Sequence, residues 1–193
     1  IGSSIARAVR AQMPGVVLTG HDVNAGVRET VRDMNLLDDV TDTPGAAVID
    51  AELVILCVPV GIMGEVAASL ANDLPPEAIV TDVGSSKASV AAALTQALPN
   101  HIIIPAHPVA GTERSGPEAG FAGLFHNRWC ILTPPEGCNP AKVAQLQAFW
   151  ERLGANVEIM AAEHHDLVLA ITSHLPHLIA YTIVGTASDL EEV

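Results

Sequence analysis

The sequence predicts an α/β fold, a mostly parallel sheet flanked by helices and followed by the start of an all-helical domain. Three observations predict it. Up to about residue 160, short β-rich runs alternate with helical stretches of roughly 10–15 residues. One run, Leu53 to Val58, is continuously apolar and stops at Pro59, as a strand buried on both faces does. Beyond residue 160 the strand signals cease and helical spacing runs to Val193. Such alternation implies βαβ units and a parallel sheet.

The elements follow in order. Gly2 to Arg10 is an amphipathic helical run, and Val16 to Gly20 is a short strand after Pro14-Gly15. Asn24 caps a helix reaching Met34. After the strand 53–58, residues 60–73 carry helical spacing at Ile62, Val66 and Leu70. Ala78 to Asp82 is the next strand, and Gly84-Ser85-Ser86 leads into an Ala-rich helix from Lys87 to Leu98. His101 to Pro105 reads as a strand, 106–118 as a Gly- and Pro-rich loop, Trp129 to Thr133 as a strand, Pro140 to Leu153 as a helix and Asn156 to Met160 as the last strand. The expected division is a dinucleotide-binding domain over 1–160 and a helical substrate and dimerisation domain begun over 161–193. The chain starts at Ile1 rather than Met and ends on an uncapped apolar helix, so the reading expects a piece of a longer protein, without its first strand and most of its helical domain.

Composition narrows the function. The 193 residues are 49% hydrophobic and 16% charged, a globular balance. A chain of this length buries roughly 70% of its unfolded surface, enough for a core without staples. Nine Lys+Arg against 22 Asp+Glu give a net charge of −13, which repels nucleic acid and anionic membranes. Three cysteines without a CxxC pair fit a reducing cytoplasm better than a disulfide framework. No signal segment opens the chain, and the reading finds no uncharged apolar run of 18 residues.

Ile1-Gly2 reads as the tail of a G-x-G-x-x-G fingerprint, and Asp22 lies 20 residues beyond Gly2, directly after the strand 16–20. That is where a carboxylate meets the ribose hydroxyls in a Rossmann-type, doubly wound fold, and its charge favours NAD over NADP. Asp22 is otherwise a turn residue in His-Asp-Val-Asn. Two helix starts suit anions: Gly84-Ser85-Ser86-Lys87, and Ser173-His174-Leu175-Pro176-His177, in which Ser173 reads as a cap and Pro176 falls in the first turn. The first also reads as a plain N-cap, and His174 and His177 also read as half-buried polar residues bridging domains. A metal site with His164, His165 and Asp166 is disfavoured, since no HExxH is present. The loop after the strand 101–105 carries His107 and Arg114, and Arg114 with Lys87 would suit a dianionic ligand.

Together, Ile1-Gly-Ser-Ser-Ile-Ala6, Asp82-Val-Gly-Ser-Ser-Lys87, His107-Pro-Val-Ala-Gly-Thr-Glu-Arg-Ser-Gly116 and Ser173-His-Leu-Pro-His177 resemble the prephenate and arogenate (cyclohexadienyl) dehydrogenases, in order and spacing over the whole chain. The resemblance implies a Rossmann-type domain, a helical domain that forms a homodimer, and an oxidoreductase of tyrosine biosynthesis. The reaction it implies is NAD-linked oxidative decarboxylation of prephenate or arogenate, to 4-hydroxyphenylpyruvate or tyrosine. It implies that His107 bonds the ring hydroxyl, that Ser85 positions substrate and nicotinamide, and that His177 contacts substrate. Ser173, His174, Gly111 and Thr112 complete the expected substrate-binding set; Ile1, Gly2, Asp22, Val58 and Pro59 form the expected NAD-binding set. An imidazole of ordinary pKa, about 6.5, suits a base drawing off the hydroxyl proton. Two other readings stand beside this one. A different two-domain hydroxy-acid dehydrogenase is weakened because residues 161–193 hold no lysine. A catalytically silent NAD-binding regulator is the second.

Overall fold

A computed structural model describes the backbone of residues 1–112 and 114–191. Helix α1 (Gly2–Gln12) turns Ile5, Ala8 and Val9 inward at helical spacing. Strand β1 (Thr19–Gly20) pairs in parallel, across helix α2 (Ala25–Asp33), with strand β2 (Asp39–Val40). Asn24 caps α2 as predicted, its Oδ1 accepting from the Gly26 amide at 2.9 Å and the Val27 amide at 3.4 Å. The strand expected over 16–20 contracts to two residues, and Val16 and Val17 stand exposed. Leu18 instead donates its N–H to the Asp38 carboxylate at 2.7 Å, a side-chain bond in place of a ladder bond. The acidic run around β2 carries no strand signal, and the sequence reading passes over it.

Strands β3 (Leu53–Leu56), β4 (Ile79–Asp82) and β5 (Ile102–Ile103) form a parallel sheet in that order. Helices α3 (Met63–Leu70) and α4 (Ala88–Ala97) enclose one core with it, built on Met63, Ala67, Leu70, Val90 and Leu94. The helices approach closely because α3 carries Gly64 where a Cβ would stand 3.2 Å from the Ala93 Cβ.

Residues 106–118, expected as loop throughout, begin as strand β6 (Ala106–Pro108). It runs antiparallel to β7 (Trp129–Leu132), and β7 runs parallel to β8 (Asn156–Ile159), with helix α5 (Pro140–Arg152) between them. Pro108 conceals β6 from a sequence reading, yet it fits at the end of a strand, where no ladder donor is required. β5 and β6 lie on one extended segment: Ile104 donates to Val80 O and Thr133 donates to Pro105 O, which joins the two sheets. The main core packs α1 and α5 here, with Phe125 and Trp150 fully buried edge to face at 5.4 Å between ring centres.

After β8 the described residues are helical from Ala162 to Glu191, as predicted. Helix α6 (Ala162–Leu169) passes through one π-helical turn (Ala170–His174) into helix α7 (Leu175–Glu191) without a break. Ser173 is therefore not an N-cap and Pro176 is not in a first turn. The wide turn ahead of Pro176 absorbs the hydrogen bond that proline cannot donate. The helix over Ala162–Ala187 has a mean hydropathy of 1.6 and an apolar exposed surface. It is long and apolar enough to cross a membrane, which corrects the expectation that no such run exists.

Candidate active site

Asp82 ends β4 at the point where the chain turns into the Gly84–Ser86 loop. Its side chain and that of Lys87 are both fully buried and form an ion pair. Asp82 also accepts from the Gly84 amide at 2.7 Å and the Ala106 amide at 3.2 Å, while Lys87 Nζ donates to Ala106 O at 2.9 Å. Burial pushes Asp82 up and Lys87 down, against their mutual attraction. This cluster ties the loop after β4 to the start of β6, one residue before His107. Lys87 is thus a strut rather than a ligand for an anion, which corrects its expected role. Gly84 is required here, since a Cβ would stand 2.9 Å from Val60 Cγ2 and 3.0 Å from the Asp82 carboxylate.

The start of α4 likewise differs from expectation. Neither Ser85 nor Ser86 caps it. The N–H groups of Lys87 and Ala88 donate to Asp166 of α6, at 2.7 Å to Oδ1 and 2.9 Å to Oδ2. The anion this helix end holds is a carboxylate of the same chain, delivered from 79 residues away. Ser85 stays exposed in the loop beside it.

His107 lies in β6 with only 8% of its surface exposed. Its Nδ1 is 2.8 Å from Nε2 of the fully buried His165, and His165 Nδ1 is 2.8 Å from Asp166 Oδ1. Burial, with the neighbouring His165, Lys87 and His174, lowers the His107 pKa to about 3. His107 is therefore neutral across the physiological range, and the imidazole of ordinary pKa expected from the sequence is not present. Burial also lowers His165, while Asp166 draws it up. Burial raises Asp166, but the two amides of α4 and His165 outweigh that and hold it below the usual carboxylate range. The residues sequence reasoning missed are His165 and Asp166. Their only signal was the His164-His165-Asp166 run, weighed there as a metal site, and no metal-binding group of three ligands occurs among the described residues.

The other predicted residues are distributed as follows. Ile1 and Gly2 start α1, whose N-cap has no side-chain bond, and Gly2 packs against Cys57 beyond β3. Asp22 follows β1 and is exposed; its Oδ1 accepts from the Asn24 amide at 2.8 Å, so it is a turn residue with an accessible carboxylate. Val58 is half-buried and Pro59 exposed just past β3. An uncapped helix start, a glycine at it and an exposed carboxylate after the next strand fit the pyrophosphate and ribose of a dinucleotide. The loop after β6 folds back over α1: Phe121 N donates to Ser4 Oγ at 3.2 Å, and a Cβ on Gly120 would stand 2.8 Å from Ser4 N. Gly111 and Thr112 are exposed in that loop, and Gly111 lines a cavity of about 300 Å³ with Phe121, His126 and Arg128 that does not include His107. Glu113 lies outside the described residues. Ser173 is half-buried in the π turn, and His174 and His177 are exposed; none of the three bonds to His107.

Comparison with known proteins decides the family. The family model "Prephenate dehydrogenase, nucleotide-binding domain" matches residues 5–159, and "Prephenate dehydrogenase, dimerization domain" matches residues 161–193. The chain belongs to the prephenate dehydrogenase family. Among the relatives of this family, the cyclohexadienyl dehydrogenase of Zymomonas mobilis is 50% identical over 192 residues, covering 100% of this chain and 66% of that protein. The prephenate dehydrogenase of Bacillus subtilis is 33% identical over 195 residues, covering 100% of this chain and 53% of that protein. The chain thus spans between half and two thirds of the length of these relatives. The structure of Aquifex aeolicus prephenate dehydrogenase in complex with hydroxyphenyl propionate and NAD+ superposes with a TM-score of 0.88 at 33% identity, covering 96% of this chain and 65% of that one. The Rossmann-type fold expected from the sequence is the fold of this family.

Proposed function

We propose that the protein is an NAD-dependent dehydrogenase that decarboxylates prephenate, arogenate or both, and that His107 accepts the ring hydroxyl proton. The observation that carries this reading is the buried, neutral His107, whose Nδ1 is engaged by His165. Its Nε2 is thereby left for a substrate hydroxyl. The aromatic ligand and NAD+ bound together in the Aquifex relative supply the matching chemical class. Ile1, Gly2, Asp22, Val58 and Pro59 would hold NAD, which when bound takes up the hydride from ring C4. Asp22 would accept from the ribose hydroxyls and repel a 2′-phosphate. Ser85 would orient the substrate hydroxyl, while Gly111, Thr112, Ser173, His174 and His177 would hold the rest of the substrate. As the hydroxyl proton leaves, the C4 carbonyl forms; loss of the ring carboxylate as CO₂ then makes the ring aromatic and drives the reaction forward.

The proposal extends to organisation. Residues 1–160 are taken as the nucleotide-binding domain and 161–193 as the start of the helical domain. The apolar face of α7, with Leu178, Ile179, Ile183 and Val184 exposed, is assigned to a homodimer rather than to a bilayer, in keeping with the dimerization-domain match. Three free cysteines suit a cytoplasmic enzyme. The test is NADH formation by the full-length protein with prephenate and with arogenate, in wild type and in His107→Asn. The expected result is a kcat loss of about 10²–10⁴-fold in the variant with NAD still bound. Undiminished turnover in His107→Asn would overturn the base assignment. Absence of turnover on both substrates in wild type would overturn the reaction.

A further inference from the structure

We infer that His107, His165 and Asp166 form a proton relay, in which the proton taken at His107 Nε2 emerges on Asp166 and no buried imidazolium is formed. This rests on the dehydrogenase reading for the source of the proton, and on the hydrogen-bond geometry alone for the path.

The path follows from what each atom can do. An ionised carboxylate only accepts, so His165 Nδ1 must carry the hydrogen of its 2.8 Å bond to Asp166. A neutral imidazole has one N–H, so His165 Nε2 is bare and accepts. His107 Nδ1 is therefore the donor across the 2.8 Å contact between the rings. The His107 Nε2 is then a lone pair, the state a proton acceptor needs. One carboxylate at the far end fixes the polarity of the whole chain.

The same chain resolves a difficulty for a simple base. Burial makes an imidazolium at His107 unfavourable, and its surroundings deepen that: Lys87 from the loop before α4 and His174 from the π turn both oppose a positive charge, with only Asp166 favouring it. A concerted shift avoids the charge. The substrate O–H breaks as His107 Nε2–H forms; His107 Nδ1–H breaks as His165 Nε2–H forms; His165 Nδ1–H breaks as Asp166 Oδ1–H forms. Three protons each move by one bond, both imidazoles end neutral in the opposite tautomer, and the negative charge on Asp166 is discharged. The Asp166 side chain is 32% exposed, so its proton can pass to water. Asp166 and His165 act through His107 and are positioning and relay residues.

The experiment has two arms, both on the full-length protein. Imidazole ¹⁵N chemical shifts read the tautomers without turnover: His107 is expected protonated at Nδ1 and bare at Nε2, and His165 protonated at Nδ1. The opposite tautomer at His107, or a charged His165 at neutral pH, overturns the relay whatever the substrate is. Asp166→Asn keeps one oxygen, enough for one of the two α4 amides, but cannot take up a proton. It is expected to lower kcat by about 10²-fold or more while KM and NAD affinity change less than about threefold. The curved solvent-deuterium proton inventory expected of the wild type, from several protons in motion, should become linear. A variant with wild-type kcat and an unchanged inventory overturns the relay. Wild-type inactivity on every cyclohexadienol, with the tautomers as assigned, would count against the dehydrogenase reading and leave the hydrogen-bond polarity standing.

Discussion

Replacing Lys87 by methionine keeps the length of the side chain and removes its charge at a point with no access to solvent. Asp82 and Lys87 are both 0% exposed, and Lys87 Nζ serves Asp82 and Ala106 O. Breaking a buried pair by removing one partner typically costs about 3–5 kcal/mol, because the remaining charge has no water to turn to. Asp82 keeps two amide donors, Gly84 and Ala106, and burial already favours its neutral form. It would take up a proton rather than stay charged, which places the expected cost near the lower end, about 3 kcal/mol. That is about a hundredfold in the folded-to-unfolded ratio, and a large share of a typical stability of about 5–15 kcal/mol. Guanidinium unfolding followed by circular dichroism measures it. The sign of the pH dependence gives a second check. With its partner gone, Asp82 has a folded pKa raised above the unfolded value, so its contribution is intact below the unfolded pKa and is lost as pH rises through the folded one. The deficit of Lys87→Met should therefore shrink on acidification. The double variant Asp82→Asn/Lys87→Met, which leaves no charge to strand, should be more stable than the single. A loss below about 1 kcal/mol, or a double variant no better than the single, would refute the account of the pair as a desolvated strut.

Three further outcomes follow from the structure. The His107 pKa is lowered to about 3 in the folded chain; the unfolded chain therefore binds that proton first as pH falls from about 6.5, and stability should drop through the window down to about 3 by up to about 1.4 kcal/mol per pH unit. Urea midpoints at pH 7 and pH 5 should show this slope flattened in His107→Gln, and an unchanged slope would contradict it. Gly120→Ala drives a methyl group into Ser3 and Ser4 of α1; it should cost about 1–3 kcal/mol and weaken NAD binding, and an unaltered melting temperature with unaltered NAD affinity would show that the loop yields freely. His177→Asn should raise KM with kcat held within about threefold, whereas a normal KM with lost kcat would move His177 from substrate orientation to the chemical step.

What the sequence by itself determined is what short-range physics encodes. Alternating period and composition placed β3, β4, β7 and β8, and the capped α2, within a residue or two of their observed ends. The apolar run 53–58 announced burial on both faces, but β3 lies at the edge of the β3-β4-β5 sheet with only Val54 and Leu56 buried, and the strand buried throughout is β4. His107 was legible as a candidate only through the motif that carried the family resemblance, since a lone histidine before a proline is by itself usually a loop residue. Pro176 and Ser173 misled, because a proline signals the start of a helix and equally the interior of one widened by a π turn; the local pattern is the same and only packing distinguishes them.

The tertiary structure alone brought the side chains of the candidate site together. Asp166 reaches the α4 amides across 79 residues of chain, and His165 reaches His107 across 58. No spacing rule links such positions, since each is set by how α6 lies against the start of α4. The same packing turned Lys87 from a ligand for anions into a buried strut, and it moved His107 from an imidazole of ordinary basicity to one kept neutral. A side chain's identity fixes which protons it can hold; its burial and its partners fix which it does hold, and those arise only when distant segments close over it.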